Sequence, residues 1–308
     1  MELQKPLLKW VGGKTQIIDK ITSFFPKELD NYYEFFLGGA SVLFALLSLK
    51  KQNKIKINGD VYASDLNPVL IYFYKCIQED PKLFIEYVET YTKEYNSISE
   101  VKGERKINKK EDALKSKESY YYWIRSLFNE IYKMDKEYIL EKEQMYDFAA
   151  MFLFLNKTCF RGVYREGPNG FNVPFGHYKN VSVYEDSEIY SVSELIKDVV
   201  FECKSFREQF ENKIFTKDDF IYLDPPYVQE TDTSFVSYTK DGFGQNEHLF
   251  LFQKCRELKG KKIPFLLSNA DVDLVRKELD GCSIMSIECK RSINSKDPSK
   301  KTNEVLII

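Results

Sequence analysis

Histidine is nearly missing from this chain. Its 308 residues include only His177 and His248, too few for a histidine-ligated metal centre or a Ser-His relay. The cysteines Cys76, Cys159, Cys203, Cys255, Cys282 and Cys289 form no Cys-x-x-Cys pair. Zinc ribbons and thioredoxin-type redox sites therefore lack their spacing, no metal is expected, and the thiols read as buried and free in a reducing compartment. No apolar run reaches the length of a membrane span, and the N-terminus carries no signal-peptide pattern, so a cytoplasmic protein without membrane contact is expected. A net positive charge is also missing: 45 Lys and Arg stand against 47 Asp and Glu, for a formal net charge of −2. A partner bearing phosphates would have to be met by local patches rather than by global charge.

What remains is an aromatic-rich globular chain, 43% hydrophobic and 15% aromatic, long enough for one large or two smaller cored domains. It is organised around Phe220-Ile221-Tyr222-Leu223-Asp224-Pro225-Pro226-Tyr227. Four bulky residues read as a buried strand, and two prolines, which lack the ladder N–H, stop it. Asp224 is thereby placed at the strand's carboxyl end, where open α/β sheets bind ligands. A carboxylate, the Pro225 carbonyl and the Tyr227 ring converge there. The exocyclic N6 of adenine, whose lone pair is delocalised into the ring, is a substrate they suit. Asp224 and the Pro225 carbonyl could accept its two protons, while Tyr227 stacks on a base taken out of the duplex.

Upstream, Lys9-Trp10-Val11-Gly12-Gly13-Lys14 precedes an amphipathic stretch predicted as a helix from about Thr15 to Phe25. Gly13-Lys14-Thr15 resembles the end of a P-loop, but that pattern needs a glycine five residues before Gly13, where Leu8 stands. Tyr32–Leu37 reads as a strand, Gly38-Gly39-Ala40 as a tight turn, and the residues to about Leu49 as a helix. Strand, glycine turn and helix bring a nucleotide-like ligand close to backbone. A second strand, Val61–Asp65, ends in an acid of the kind that grips ribose hydroxyls.

From Val69 the pattern becomes helical, over about Leu70–Gln78, Pro81–Tyr95, Ser119–Tyr132 and Gln144–Asn156. Lys102–Lys117, nearly free of apolar residues, reads as a solvated connector. Cys159–Arg165 and Phe171–Phe175, flanking Glu166-Gly167-Pro168-Asn169-Gly170, predict a β-hairpin of a kind that fits the major groove. The α/β alternation then resumes with strands at Val199–Cys203, Phe220–Leu223 and Pro264–Ser268 and helices at His248–Leu258 and Val272–Leu279. Ser283–Glu288 and Val305–Ile308 read as a closing antiparallel pair. Val228–Asn246 and the basic run from Lys290 to Thr302 read as long loops beside the active edge, the second suited to phosphates.

Taken in order, several segments resemble the Dam-type (α-class) adenine-N6 DNA methyltransferases. They are Lys9–Lys14, Phe35-Phe36-Leu37-Gly38-Gly39-Ala40-Ser41, Asp65-Leu66-Asn67, Phe171-Asn172-Val173-Pro174-Phe175-Gly176, Asp224–Tyr227, Leu267-Ser268-Asn269 and Arg291-Ser292-Ile293. Two departures are visible: the glycine turn reads Leu-Gly-Gly-Ala where the family more often has Val-Gly-Ala-Gly, and the hairpin turn Glu166–Gly170 is shorter by about one residue than in the bacterial enzymes. The resemblance implies a Rossmann-like methyltransferase sheet, formed by residues 1–68 and 191–308, with an inserted, mainly helical target-recognition domain at 69–190 carrying the hairpin. It implies S-adenosylmethionine as donor, held by Trp10, Lys14, Phe35, Phe36, Gly38, Gly39, Asp65 and Asp224, and catalysis by Asp224, Pro225, Pro226 and Tyr227.

Double-stranded DNA is the implied partner, read at GATC by Lys9, Phe160, Val163, Arg165, Asn172 and Pro174, with Arg291 in the basic loop. A partner restriction endonuclease and a solitary marking role both stay open. So do another short adenine site, cytosine-N4 methylation (where serine is preferred at the position of Asp224) and an inactive DNA-binding homologue. Cytosine-C5 chemistry is removed, because it uses a cysteine after a proline and the chain has no Pro-Cys pair.

Overall fold

The structure, a computed structural model, describes residues 2–134, 140–228, 243–290 and 301–308. A seven-stranded sheet forms its centre. The strands are β1 (Tyr32–Glu34), β2 (Val61–Asp65), β3 (Val199–Cys203), β4 (Phe220–Leu223), β5 (Phe265–Ala270), β6 (Ile284–Lys290) and β7 (Lys301–Ile307). Their spatial order is β6-β7-β5-β4-β1-β2-β3. Only β7 runs against the others, pairing antiparallel with both β5 and β6. The chain leaves β1 toward β2 on one side and returns to β4 on the other. The crevice at this reversal is where an open α/β sheet takes its ligand.

Helices cover both faces. Those before β3 are α1 (Ile18–Thr22), α2 (Ser41–Lys51), α3 (Pro68–Glu79), α4 (Pro81–Ser97), α5 (Lys117–Met134), α6 (Lys142–Thr158) and α7 (Asp186–Ile196). After it come α8 (Phe206–Asn212), α9 (Gln245–Gly260) and α10 (Asp273–Glu278). Two starts follow one rule: Asn67 and Asp80 each cap a backbone N–H, of Val69 and Leu83, at 3.0 Å, and each is followed by proline at the first helical position. A short polar acceptor satisfies an orphan donor, and proline has none to satisfy. Helices α3 to α7 all lie in the crossover between β2 and β3. Their interior is aromatic, with Phe128 stacked on Phe148 at 4.5 Å and Phe152 edge-on to Phe73, each buried ring contributing roughly 1.5–3 kcal/mol. That interior is continuous with one face of the sheet. A second cluster, including Tyr33, Phe35, Leu223, Phe252 and Leu267, fills the other face.

Several sequence expectations need correction. The first helix is confined to Ile18–Thr22, and β1 stops at Glu34, because Phe35–Leu37 already turn toward α2. Lys102–Lys117 is mostly exposed, as expected of a solvated connector, but a short helix covers Lys110–Ala113, and its end turns inward, with Ala113, Ser116 and Lys117 buried. The last lysine departs from the reading. Lys117 donates to the Tyr95 carbonyl at 2.7 Å and lies over the Tyr95 ring, so its charge is satisfied inside. The hairpin is smaller than predicted. Only Glu166–Gly167 and Gly170–Phe171 pair, across Pro168-Asn169, and Cys159 and Phe175 close its base through a single bridge. Phe160–Gly162 form a tight turn, with Arg161 at φ 59° and Gly162 at φ 66°, which breaks the strand expected there.

Candidate active site

Three acids stand at the carboxyl edge of three adjacent strands. Parallel register places Glu34, the last residue of β1, level with Ala63 on β2 and Tyr222 on β4. Asp65 and Asp224 each lie two residues further along, so they flank Glu34 at the rim. Asp224 pairs with Lys14: Nζ to Oδ2 is 2.7 Å, with side chains only 5% and 17% exposed. Lys14 Nζ also donates to the Gly12 carbonyl at 2.7 Å and lies 4.9 Å from the centre of the Tyr227 ring, and the Lys14 backbone N–H donates to Ser41 Oγ at 3.1 Å. The other Asp224 oxygen, Oδ1, is buried and has no hydrogen-bond donor.

Burial pushes the Asp224 carboxyl up to about 6, against the pull of Lys14 and with help from Glu304. Glu34 accepts from Tyr32 Oη at 2.7 Å. Burial pushes it higher still, to about 8, with a smaller contribution from the neighbouring Asp224 and Asp65. Glu34 is thus neutral near pH 7, while Asp224 is ionised but within reach of a proton. Asp65 is raised by burial and held down by backbone donors. Gly38 N–H donates to one of its oxygens and Asn67 N–H to the other, both at 2.9 Å.

The turn after β1 is built for close approach. Gly38 has φ 48°, and a Cβ there or at Gly39 would lie 2.9 or 2.8 Å from the Trp10 side chain. Ala40 takes φ 58° at the start of α2, the position where the resembled motif carries its last glycine. Displacement of that glycine by one residue has put a Cβ in the left-handed region. Phe36 packs against Phe206 and Phe243 near this edge, whereas the Phe35 ring turns away into the core against Phe210 and Phe215.

Known proteins share this arrangement of segments. Residues 10–293 match the family described as D12 class N6 adenine-specific DNA methyltransferase. The chain belongs to this family. It is similar to the type II methyltransferase M.MjaIII of Methanocaldococcus jannaschii, 35% identical over 99% of this chain and 98% of that protein. It is also similar to the type II methyltransferase M1.LlaDCHI of Lactococcus lactis subsp. cremoris, at 28% over 98% of this chain and 94% of that one. The DNA adenine methylase of Haemophilus influenzae is 29% identical over 99% of this chain and 93% of its own length.

In this methyltransferase the segments expected to face DNA gather beside the site. Asn156, buried at the end of α6, grips the Lys9 backbone from both sides: its Oδ1 accepts from Lys9 N–H at 3.0 Å and its Nδ2 donates to the Lys9 carbonyl at 2.8 Å. The Lys9 side chain then lies against Gly162. Tyr164 stacks on Trp10 at 5.1 Å, tying the hairpin loop to the glycine turn. Arg165 precedes the paired residues; its Nε donates to Asn172 Oδ1 at 2.7 Å, and its carbonyl accepts from Asn172 N–H. Phe160 is 49% exposed, Pro174 is exposed, and Val163 is half-buried. Arg291 and most of the two long loops lie outside the described residues.

The sequence reading missed Glu34, Asn156, Asn269 and Glu304. Asn269 accepts from the Val228 and Ala270 N–H groups at 3.1 and 2.8 Å, pinning the chain just after Tyr227. Glu34 had a local signal, an acid closing an apolar strand. Asn269 lay in the matched segment Leu267-Ser268-Asn269 without an assigned role, whereas Asn156 and Glu304 act on residues far away in sequence and had no signal. Among the described residues no group of three or more His, Cys, Asp or Glu could hold a metal ion, and no helix is long and apolar enough to cross a membrane.

Proposed function

We propose that this enzyme transfers a methyl group from S-adenosylmethionine to N6 of an adenine flipped out of double-stranded DNA, within GATC. The observation that carries this reading is the undonated Oδ1 of Asp224, a buried acceptor beside an aromatic ring at the sheet's switch point. A buried oxygen left without a donor costs about 1–3 kcal/mol; an incoming amino group would relieve that cost.

The residues fit the donor. Asp65 offers carboxylate oxygens to ribose hydroxyls, and the turn of Gly38 and Gly39 carries no side chain to obstruct a ligand. Trp10 and Phe36 are the rings nearest that turn, and Phe35 would contribute backbone only. When bound, S-adenosylmethionine supplies an electrophilic methyl group. Asp224 Oδ1 accepts a hydrogen bond from one N6–H and the Pro225 carbonyl one from the other, and both draw the amine lone pair out of conjugation with the ring. Pro226 stiffens the presentation of that carbonyl, and the Tyr227 ring is the stacking surface for the base. Lys14 keeps Asp224 ionised at neutral pH, and the Asp224 carboxylate stabilises the positive charge that grows on N6 as the new bond forms.

The helical block between β2 and β3 serves as the recognition domain. Asn172 fixes the inner nitrogen of Arg165, which leaves the fork's outer nitrogens to meet guanine O6 and N7. Asn172 sits beside it, Lys9, against Gly162, is a further base contact, Phe160 is the wedge, and Val163 and Pro174 supply apolar contacts for thymine. Arg291 is assigned to the backbone phosphates. The type II names of two relatives favour a restriction endonuclease of the same specificity as functional partner.

Transfer of labelled methyl from the donor to DNA, followed by mapping of the modified adenines, tests the whole reading. Asp224→Ala should abolish transfer with the fold intact, and Asp224→Asn should retain weak activity through its carbonyl. Near-normal turnover in Asp224→Ala would remove the catalytic assignment.

A further inference from the structure

The Tyr227 hydroxyl has a partner from a distant part of the chain. Because β7 runs against its neighbours, its early residues arrive at the same edge where β1, β2 and β4 end. Register pairs Glu304 with Ala270, the last residue of β5. From there Glu304 Oε2 accepts the Tyr227 hydroxyl proton at 2.9 Å. The same hydroxyl is one of the groups that draw the Asp224 carboxyl downward, although Asp224 Oδ1 accepts no hydrogen bond. A phenol has one proton to donate, and two carboxylates compete for it.

We infer that Glu304 is a positioning residue for methyl transfer: by holding the Tyr227 proton it keeps Asp224 Oδ1 an undonated acceptor and fixes the plane of the Tyr227 ring. Lys14 occupies Oδ2, so Oδ1 is the oxygen left for a substrate amino group. Without Glu304 the phenol proton would turn to Asp224 and cap it. Asn269 completes the clamp by taking the Val228 N–H at 3.1 Å, so ring and following backbone are both fixed from the β5–β7 side. The inference rests on the proposed adenine chemistry at Asp224.

The test compares kcat on methylatable DNA for the wild type, Glu304→Met, Glu304→Gln, Tyr227→Phe and Glu304→Met/Tyr227→Phe, each shown to fold by thermal melting. Methionine keeps the side-chain volume on β7 without an oxygen acceptor, so the strand should remain paired. Glu304→Met should lower kcat roughly ten- to a hundredfold, the equivalent of one hydrogen bond to a charged group, while donor Kd stays unchanged. Glu304→Gln, which keeps a carbonyl acceptor, should recover most of that loss. Adding Tyr227→Phe to Glu304→Met should also raise kcat, because it removes the proton that caps Asp224. A purely structural role for Glu304 predicts no such rescue. Wild-type kcat in Glu304→Met, or a double variant as slow as Glu304→Met, overturns the inference while the wild type's own transfer leaves the proposed function standing. Failure of the wild type to methylate any adenine in DNA overturns both.

Discussion

Replacing Lys14 by methionine removes one charge from the centre of the site and keeps most of the side chain's volume. The pair it breaks is short, 2.7 Å, and largely shielded from water. A charge-assisted hydrogen bond of this kind contributes about 1.5–3 kcal/mol, equivalent to roughly one to two pH units in the partner's titration. Burial already holds the Asp224 carboxyl at about 6, and Lys14 is the main influence restraining it. Without that restraint the carboxyl rises further and carries its proton near neutral pH, where a protonated Oδ1 no longer serves as an acceptor. The kcat–pH profile of the wild type should show an acid limb near the Asp224 value of about 6; in the variant that limb should move upward by roughly one to two pH units, and activity should return at alkaline pH.

Stability gives a second readout of the same substitution. The folded-state pKa of Asp224 is raised from its ordinary 3.8 to about 6. Its contribution is therefore most favourable below the unfolded value and is lost as pH rises through the folded one, on the order of 3 kcal/mol in all. Lys14→Met and wild type should melt alike in acid and diverge above about pH 6. An acid limb that stays in place while only the plateau falls would refute the reasoning and assign Lys14 to binding alone.

Asp65→Ala should weaken donor affinity by roughly tenfold or more if Asp65 makes the two proposed charge-assisted bonds to ribose, while DNA binding without donor barely changes; unaltered affinity in calorimetry would remove the assignment. Arg165→Ala should cut the preference for one guanine by roughly ten- to a hundredfold, read as methylation rates on GATC and its single-base variants; a uniform loss across all of them would reassign Arg165 to the phosphates. Ala40→Gly relieves a Cβ at φ 58°. It should raise stability by up to about 1 kcal/mol after glycine's own entropy penalty, and a lower denaturant midpoint at unchanged slope would contradict it.

The sequence by itself determined the local pieces of this protein. Four apolar residues followed by Asp-Pro-Pro place Asp224 at a strand end, because proline cannot continue the ladder, and β4 ends at Leu223 as expected. Asp65 closing β2, the start of α4 at Pro81, and the antiparallel pair of β6 and β7 were legible for equally local reasons. Where the reading failed, distant packing overrode composition. Lys117 looked solvated until the Tyr95 carbonyl and ring enclosed it, and the strand predicted from Cys159 to Arg165 gave way to a turn braced by Asn156 and Lys9. Only the tertiary structure decided which acids share one rim. Glu34, Asp65, Asp224 and Glu304 come from four strands whose neighbours are set by how the sheet packs between its helices, and Glu304 reaches Tyr227 across 77 residues because β7 runs backwards. Side-chain period and turn residues are properties of a few consecutive positions; strand order and direction depend on the burial of the whole sheet, and the site's electrostatics follow from that order.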